Sequence, residues 1–138
     1  MTDHVATVTA IYAAFNRGDI PAILDRLADD VRWEEWADSH AQKAGVPWLL
    51  PRRDKAGVVE FFKVVGAMKI HEFNVLTLMA GGNQVAAELI FEATLPNGVR
   101  SRDEEIHLFT FDDAGKVVRF RHYVDTAKHI AAARGETT

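Results

Sequence analysis

The chain has 138 residues, the length of one ordinary domain, with 48% apolar and 26% charged residues. Lys and Arg total 16 and Asp and Glu 20, a formal charge of −4 that argues against the net basic face of a nucleic-acid binder. There is no cysteine, so disulfides, zinc–thiolate sites and a cysteine nucleophile are excluded. No apolar run approaches the roughly 20 residues of a spanning helix. The opening MTDHVATVTA has no basic segment ahead of an apolar one. The expectation is one cytoplasmic domain over residues 1–138, without nucleic-acid or membrane partners.

Val5, Val8, Ile11, Tyr12 and Phe15 recur at helical spacing and predict a first amphipathic helix. Gly18 stops it, and Asp19 caps a second helix with Pro21 in its first turn and Ile20, Ile23, Leu24 and Leu27 on one face. Asp29-Asp30 ends that helix, and Val31 to Trp36 reads as a strand. Residues 37–53 carry Gly45, Pro47 and Pro51 without a period, a long loop of the kind that walls a pocket. Asp54 caps a third helix with Val58, Val59, Phe62 and Val65 on its core face. Strands follow at about 70–79, 84–95, 99–111 and 116–124, separated by Gly81-Gly82-Asn83, Pro96-Asn97-Gly98 and Asp112-Asp113-Ala114-Gly115. A short helix over 126–134 ends at Gly135. Helices followed by a meander make an α+β domain, with helices over one face of a curved sheet.

Side chains alternate along strands, so loop length decides which residues share a face. A two-residue loop at Pro96–Gly98 puts Glu88, Ile90 and Glu92 with Asp103, Glu105 and His107. The other face then holds Val85, Ala87, Leu89 and Phe91 with Arg102, Ile106 and Leu108. A four-residue loop at 112–115 sets Phe109 opposite Val118, His107 opposite Phe120 and Glu105 opposite His122. Either the charged face is the wet side of a half-exposed sheet, or it lines a cavity under the helices while the apolar face meets a second subunit. Periodicity does not separate these two arrangements, and a β-bulge would break the arithmetic.

Asn16-Arg17-Gly18-Asp19-Ile20, Leu27-Ala28-Asp29-Asp30-Val31 and Ala114-Gly115-Lys116-Val117-Val118, in this order of elements, resemble the nuclear-transport-factor-2-like superfamily. The chain is most similar to its SnoaL-like and ketosteroid-isomerase-like enzymes. The resemblance implies a cone: a strongly curved mixed or antiparallel sheet wrapped around three to four helices, with an internal apolar pocket. It also implies a homodimer through the outer sheet face, here Leu89, Phe91, Ile106 and Leu108. Ala28-Asp29-Asp30-Val31-Arg32-Trp33-Glu34-Glu35 resembles the isomerase stretch leading to its general base, which falls at Glu35 beside Trp33. Ile106-His107-Leu108-Phe109 resembles the strand carrying the isomerase's oxyanion-binding aspartate, at His107. Phe120-Arg121-His122-Tyr123-Val124-Asp125 resembles the terminal strand of limonene epoxide hydrolase, with His122 at its catalytic aspartate. Two features depart. The isomerase tyrosine falls at Ile11, one residue and about 100° of helix from Tyr12. The hydrolase Arg-x-Asp pair falls at Glu88-Leu89-Ile90 and is missing.

These residues imply an isomerase or lyase that moves protons on a small apolar carbonyl, polyketide-like or steroid-like compound, with Glu35, His107 and His122 as catalytic groups. A carboxylate in an apolar pocket is raised toward a useful base range. A histidine at 107 can donate to an enolate oxygen while Glu88 or Glu105 holds its other nitrogen. Trp33, Tyr12, Phe109 and Phe120 wall or support the pocket, and His122 opposite Glu105 is a second acid–base group. Glu88, Glu105, His107 and His122 suit a divalent metal chemically, but no tight motif such as H-x-x-x-H occurs, so neither metal nor cofactor is expected. His4, His40, His71 and His129 receive no role. The competing expectation is a ligand-binding or interaction module that keeps the fold without chemistry, and a weaker one is an epoxide hydrolase.

Overall fold

The structure, a computed structural model, describes residues 3–137. Helix α1 (His4–Asn16) begins where the Asp3 carboxylate accepts from Ala6 N, and α2 (Ile20–Leu24) where Asp19 accepts from Ala22 N. Each capping carboxylate satisfies a backbone donor that the first helical turn leaves free. Strand β1 (Leu27–Trp33) follows α2 almost at once, which corrects the expected longer helix and the strand at 31–36. Parallel pairing to β6, Leu27 with Val117 and Trp33 with Phe120, draws Asp29-Asp30 into the strand. Long-range pairing of this kind overrides local propensity.

The 37–53 segment is not a plain loop. It holds α3 (His40–Lys43), a 3-10 turn at Pro47–Leu49 and the edge strand β2 (Arg52–Arg53). Helix α4 (Asp54–Gly66) buries Val58, Phe61 and Val65, and Asp54 Oδ1 accepts from Gly57 N as a cap. Phe61 thus takes the core place expected of Val59. The strands β3 (Lys69–Gly81), β4 (Gln84–Thr94), β5 (Arg100–Phe111) and β6 (Val117–Tyr123) form the meander, and α5 (Thr126–Ala133) closes the chain. Among the described residues the sheet order is β2-β1-β6-β5-β4-β3, curved around α1, α2 and α4. This is the α+β cone. Its core joins Val8 and Ile11 of α1, Val58 and Phe61 of α4, and Val85, Phe109, Phe111 and Phe120 of the sheet. A smaller cluster of Ala41, Val46 and Leu49 packs the 37–53 segment on α5 through Val124, Ile130 and Ala133.

The register differs from the arithmetic in an instructive way. Leu95 N donates to Val99 O, so the β4–β5 loop is the three residues Pro96-Asn97-Gly98, with Gly98 at φ +90°. Three residues keep odd paired with odd: Ala87 with His107, Leu89 with Glu105 and Phe91 with Asp103. The inner face therefore mixes Val85, Ala87, Leu89 and Phe91 with Asp103, Glu105 and His107. Glu88 is exposed on the outer face beside Ile106. Leu89, with no exposed surface, and Phe91, in the cleft wall, do not belong to the outer face with Ile106 and Leu108. At the next turn Phe111 pairs with Val117, one residue beyond expectation, and a bulge before Thr110–Arg119 adds a second. The two slips sum to an even number, so Phe109 meets Phe120 and His107 meets His122 on the inner face.

Candidate active site

Inside the cone lies a cleft with about 100 Å³ of free space. Aromatic side chains from α1, α4 and the sheet make much of its wall, including Phe15, Phe62, Phe73 and Phe91. Its polar wall comes from inward positions of β5 and β6 (Asp103, Glu105, His107, His122), with Tyr12 of α1 and His129 of α5. Phe109 and Phe120 meet edge to face beside these groups, 5.0 Å apart between ring centroids. A second, polar cavity shares Glu105 and His122 and is lined by Glu34, Glu88 and Glu104.

The position of the buried carboxylate is a correction. Glu35 lines neither cavity. It is half-exposed and paired with Arg32 at 2.9 Å and Arg53 at 3.9 Å. Glu34, only 1% exposed, turns inward instead. Its φ of +58° breaks strand alternation directly after Trp33, so the side chain that regular pleating would send outward goes in. Glu34 Oε1 accepts from the His122 backbone N at 2.7 Å and pairs with His122 Nδ1, while Oε2 accepts from Trp36 Nε1 at 2.8 Å. His122 is thus held by Glu34, not by Glu105 as expected. Because the carboxylate only accepts, it is His122 Nδ1 that carries the proton of this contact, and Nε2 is the nitrogen left for other partners.

Glu105 sits between two histidines, with His107 Nε2 at 3.4 Å and His129 Nε2 at 3.3 Å. Burial alone would raise its pKa, but the contacts from His107 and His129 prevail and hold it well below the ordinary range. Burial lowers His107 to about 4, and the nearby His122 acts in the same direction against the pull of Glu105. The neutral ring keeps its proton on Nε2, facing Glu105, and so accepts at Nδ1 from the Tyr12 hydroxyl at 2.8 Å. Burial first, then Glu105, raises Tyr12 far above its usual range, so it stays a donor. Tyr12 therefore reaches the site although it lies one residue from the position the resemblance would give. The His107 and His122 rings meet edge to face at 4.5 Å between centroids.

His129, given no role from sequence, completes a second cluster. Its Nε2 lies 2.7 Å from Asp103 Oδ2, and Trp48 Nε1 is 2.9 Å from its Nδ1. Burial opposes a charge on His129, yet Asp103 and Glu105 outweigh it and raise the ring to about 9. The Trp48 N–H, which donates only to a bare nitrogen, works against that proton. The only hint in the sequence was that Asp103 falls on the inner face; nothing local tied it to His129, 26 residues away. Ring and carboxylate atoms of Glu105, His107 and His122, and of Asp103, Glu105 and His129, lie within 4.8 Å of one another, close enough to ligate a metal after a small contraction. In the second group Asp103 and Glu105 hold a proton on His129 Nε2, the nitrogen nearest them, and a metal would have to displace it.

Residues 8–120 match the family model of the SnoaL-like domain. No curated protein matches the sequence. An NTF2-like protein of unknown function from Burkholderia pseudomallei is similar at 26% identity and a TM-score of 0.77, over 94% of this chain and 96% of that one. TerC, co-crystallised with polyporic acid, is 23% identical with a TM-score of 0.75 over 95% and 98%. The Δ5-3-ketosteroid isomerase from Mycobacterium sp. is 22% identical with a TM-score of 0.69 over 90% and 94%.

Proposed function

The chain belongs to the SnoaL-like domain family, and from that premise and the cleft geometry we propose that it is a small-molecule isomerase or lyase moving protons on an apolar carbonyl compound. The observation that carries this reading is the Glu34–His122 pair beside an aromatic cleft. His122 Nε2 removes a proton from the carbon next to the carbonyl. The imidazolium formed is stabilised through Nδ1 by Glu34, in surroundings where such a pair is weakly screened. The Tyr12 hydroxyl turns from His107 to the substrate oxygen and donates to the developing enolate. His107 and Glu105 position that phenol, and the aromatic wall excludes water. The proton then returns to a different carbon, or a leaving group departs. The fold neighbour named a ketosteroid isomerase supports a carbonyl substrate. A second copy of the chain covers the outer sheet face at Met79, Ile106, Leu108 and Tyr123 in this reading; Met79 is 49% and Tyr123 41% exposed. The test is deuterium exchange at the α-carbon of ring ketones, followed by NMR. The protein accelerates it, and His122→Gln slows it about 10²–10⁴-fold; no acceleration by the wild type ends the proposal.

A further inference from the structure

The proton transfer described above makes no use of Asp103 and His129, although both are buried in the cleft wall. His129 has no nitrogen to offer a substrate. Its Nε2 faces Asp103 Oδ2 at 2.7 Å and Glu105 Oε2 at 3.3 Å, and its Nδ1 lies 2.9 Å from Trp48 Nε1. The Asp125 backbone N donates to the same Asp103 oxygen at 3.2 Å and helps to fix that carboxylate. What His129 does reach is one end of Glu105, whose other oxygen lies 3.4 Å from His107 Nε2. His107 Nδ1 in turn accepts from the Tyr12 hydroxyl at 2.8 Å. One line of contacts therefore runs from α5 through β5 to the phenol on α1.

Direction along that line is set at Glu105. An ionised carboxylate only accepts, so it keeps the His107 proton on Nε2 and leaves Nδ1 to accept from Tyr12. A protonated Glu105 would donate to Nε2 instead, sending the ring proton to Nδ1 and releasing the phenol hydrogen. Burial favours the protonated form, and the His107 and His129 contacts oppose it. Of these two rings, only His129 is backed by a further carboxylate, Asp103. We propose that His129 is a positioning residue: acting through Glu105 and His107, it keeps the Tyr12 hydroxyl on the imidazole until the substrate oxygen becomes an enolate. A bare imidazole nitrogen competes well with a neutral ketone oxygen and poorly with an anionic one. The hydroxyl is thus withheld from the bound ketone and given in the transition state, the kind of interaction that raises kcat. The proposal rests on the carbonyl reading above.

Two variants test it. His129→Gln replaces the imidazolium by a neutral amide, too weak a donor to keep a buried Glu105 ionised. Glu105→Gln donates to His107 Nε2 as the protonated acid would. In nitrogen NMR of the ligand-free proteins, His107 carries its proton on Nε2 in the wild type and on Nδ1 in both variants. In α-deuterium exchange of ring ketones, both variants lower KM about fivefold, the worth of one neutral hydrogen bond, without raising kcat. Mere damage to the packing would raise KM. Independently of any variant, the His107 nitrogen signals of the wild type move with the titration of His129 near pH 9. A His107 proton that stays on Nε2 in either variant, a KM that rises, or His107 signals indifferent to that titration overturns the inference and leaves the carbonyl reading standing. A wild type that accelerates exchange in no ring ketone overturns both.

Discussion

At φ +58° the Glu34 backbone occupies a region that costs a non-glycine residue about 1–3 kcal/mol. Three donors on its carboxylate offset that cost, since hydrogen bonds to charged groups contribute about 1.5–3 kcal/mol each. The strain therefore persists and delivers a carboxylate to His122. Glu34→Gln should slow α-proton exchange about 10²–10⁴-fold, because an amide does not stabilise the imidazolium. Glu35→Gln should leave that rate within about twofold and move stability by less than about 1 kcal/mol, as expected of exposed ion pairs. Equal losses in the two variants would reverse these assignments. The buried histidines make stability depend on pH in both directions. Between about pH 6.5 and 4 the unfolded chain takes up a proton that folded His107 refuses, so stability falls as pH drops, and Glu105 extends the fall below its ordinary range. From about pH 6.5 to 9 folded His129 keeps a proton that the unfolded chain releases, so stability also falls as pH rises. Urea midpoints measured across this range should peak near pH 6.5, and His129→Gln should flatten the alkaline limb.

Elements act here mainly through their connections. The β4–β5 hairpin owes its odd-to-odd register to the Pro96-Asn97-Gly98 loop, in which Gly98 holds φ +90°. Nothing lies within 4 Å of where a Cβ would stand on Gly98, so Gly98→Ala isolates the backbone effect. It should lower unfolding free energy by about 1 kcal/mol or more in urea titration; an unchanged midpoint would mean that the loop relaxes freely. The same hairpin anchors α5: Asn97 Nδ2 donates to Ala132 O at 2.9 Å, and Lys128 Nζ to Arg102 O at 2.8 Å. Helix α5 in turn carries His129 to Asp103 and holds the 37–53 segment through Trp48. A hairpin loop, a terminal helix and a pocket wall thus form one mechanical unit around the polar end of the cleft.

For the whole molecule, sheet curvature decides what is inside. Inward positions of β4 and β5 mix full aliphatics with acids and imidazoles, which only a cleft with paired polar groups accommodates. Outward positions carry Met79, Ile106, Leu108 and Tyr123 around Glu88, an apolar strip with a polar edge. If a second copy covers that strip, Leu108→Glu should shift the species seen in sedimentation from dimer to monomer while leaving the far-ultraviolet spectrum unchanged. A wild type that sediments as a monomer at all concentrations would refute that interface.

Much was determined by local pattern: the caps at Asp19 and Asp54, the amphipathic faces of α1 and α4, the hairpin punctuation, and the placing of His107 and His122 on one shared face of the sheet. These follow from rules that act over a few residues, namely helical and strand periods, turn chemistry and capping. The motif order also sufficed to identify the cone. What tertiary structure alone decided was how those pieces meet. One residue more in the 96–98 loop moved Glu88 out and Leu89 in. One left-handed torsion exchanged Glu35 for Glu34. Parallel pairing with β6 drew Asp29-Asp30 into a strand, and the return of α5 brought His129 to Asp103. Side-chain direction along a strand reverses with every single residue of offset, so errors too small to alter the fold are large enough to reassign its chemistry.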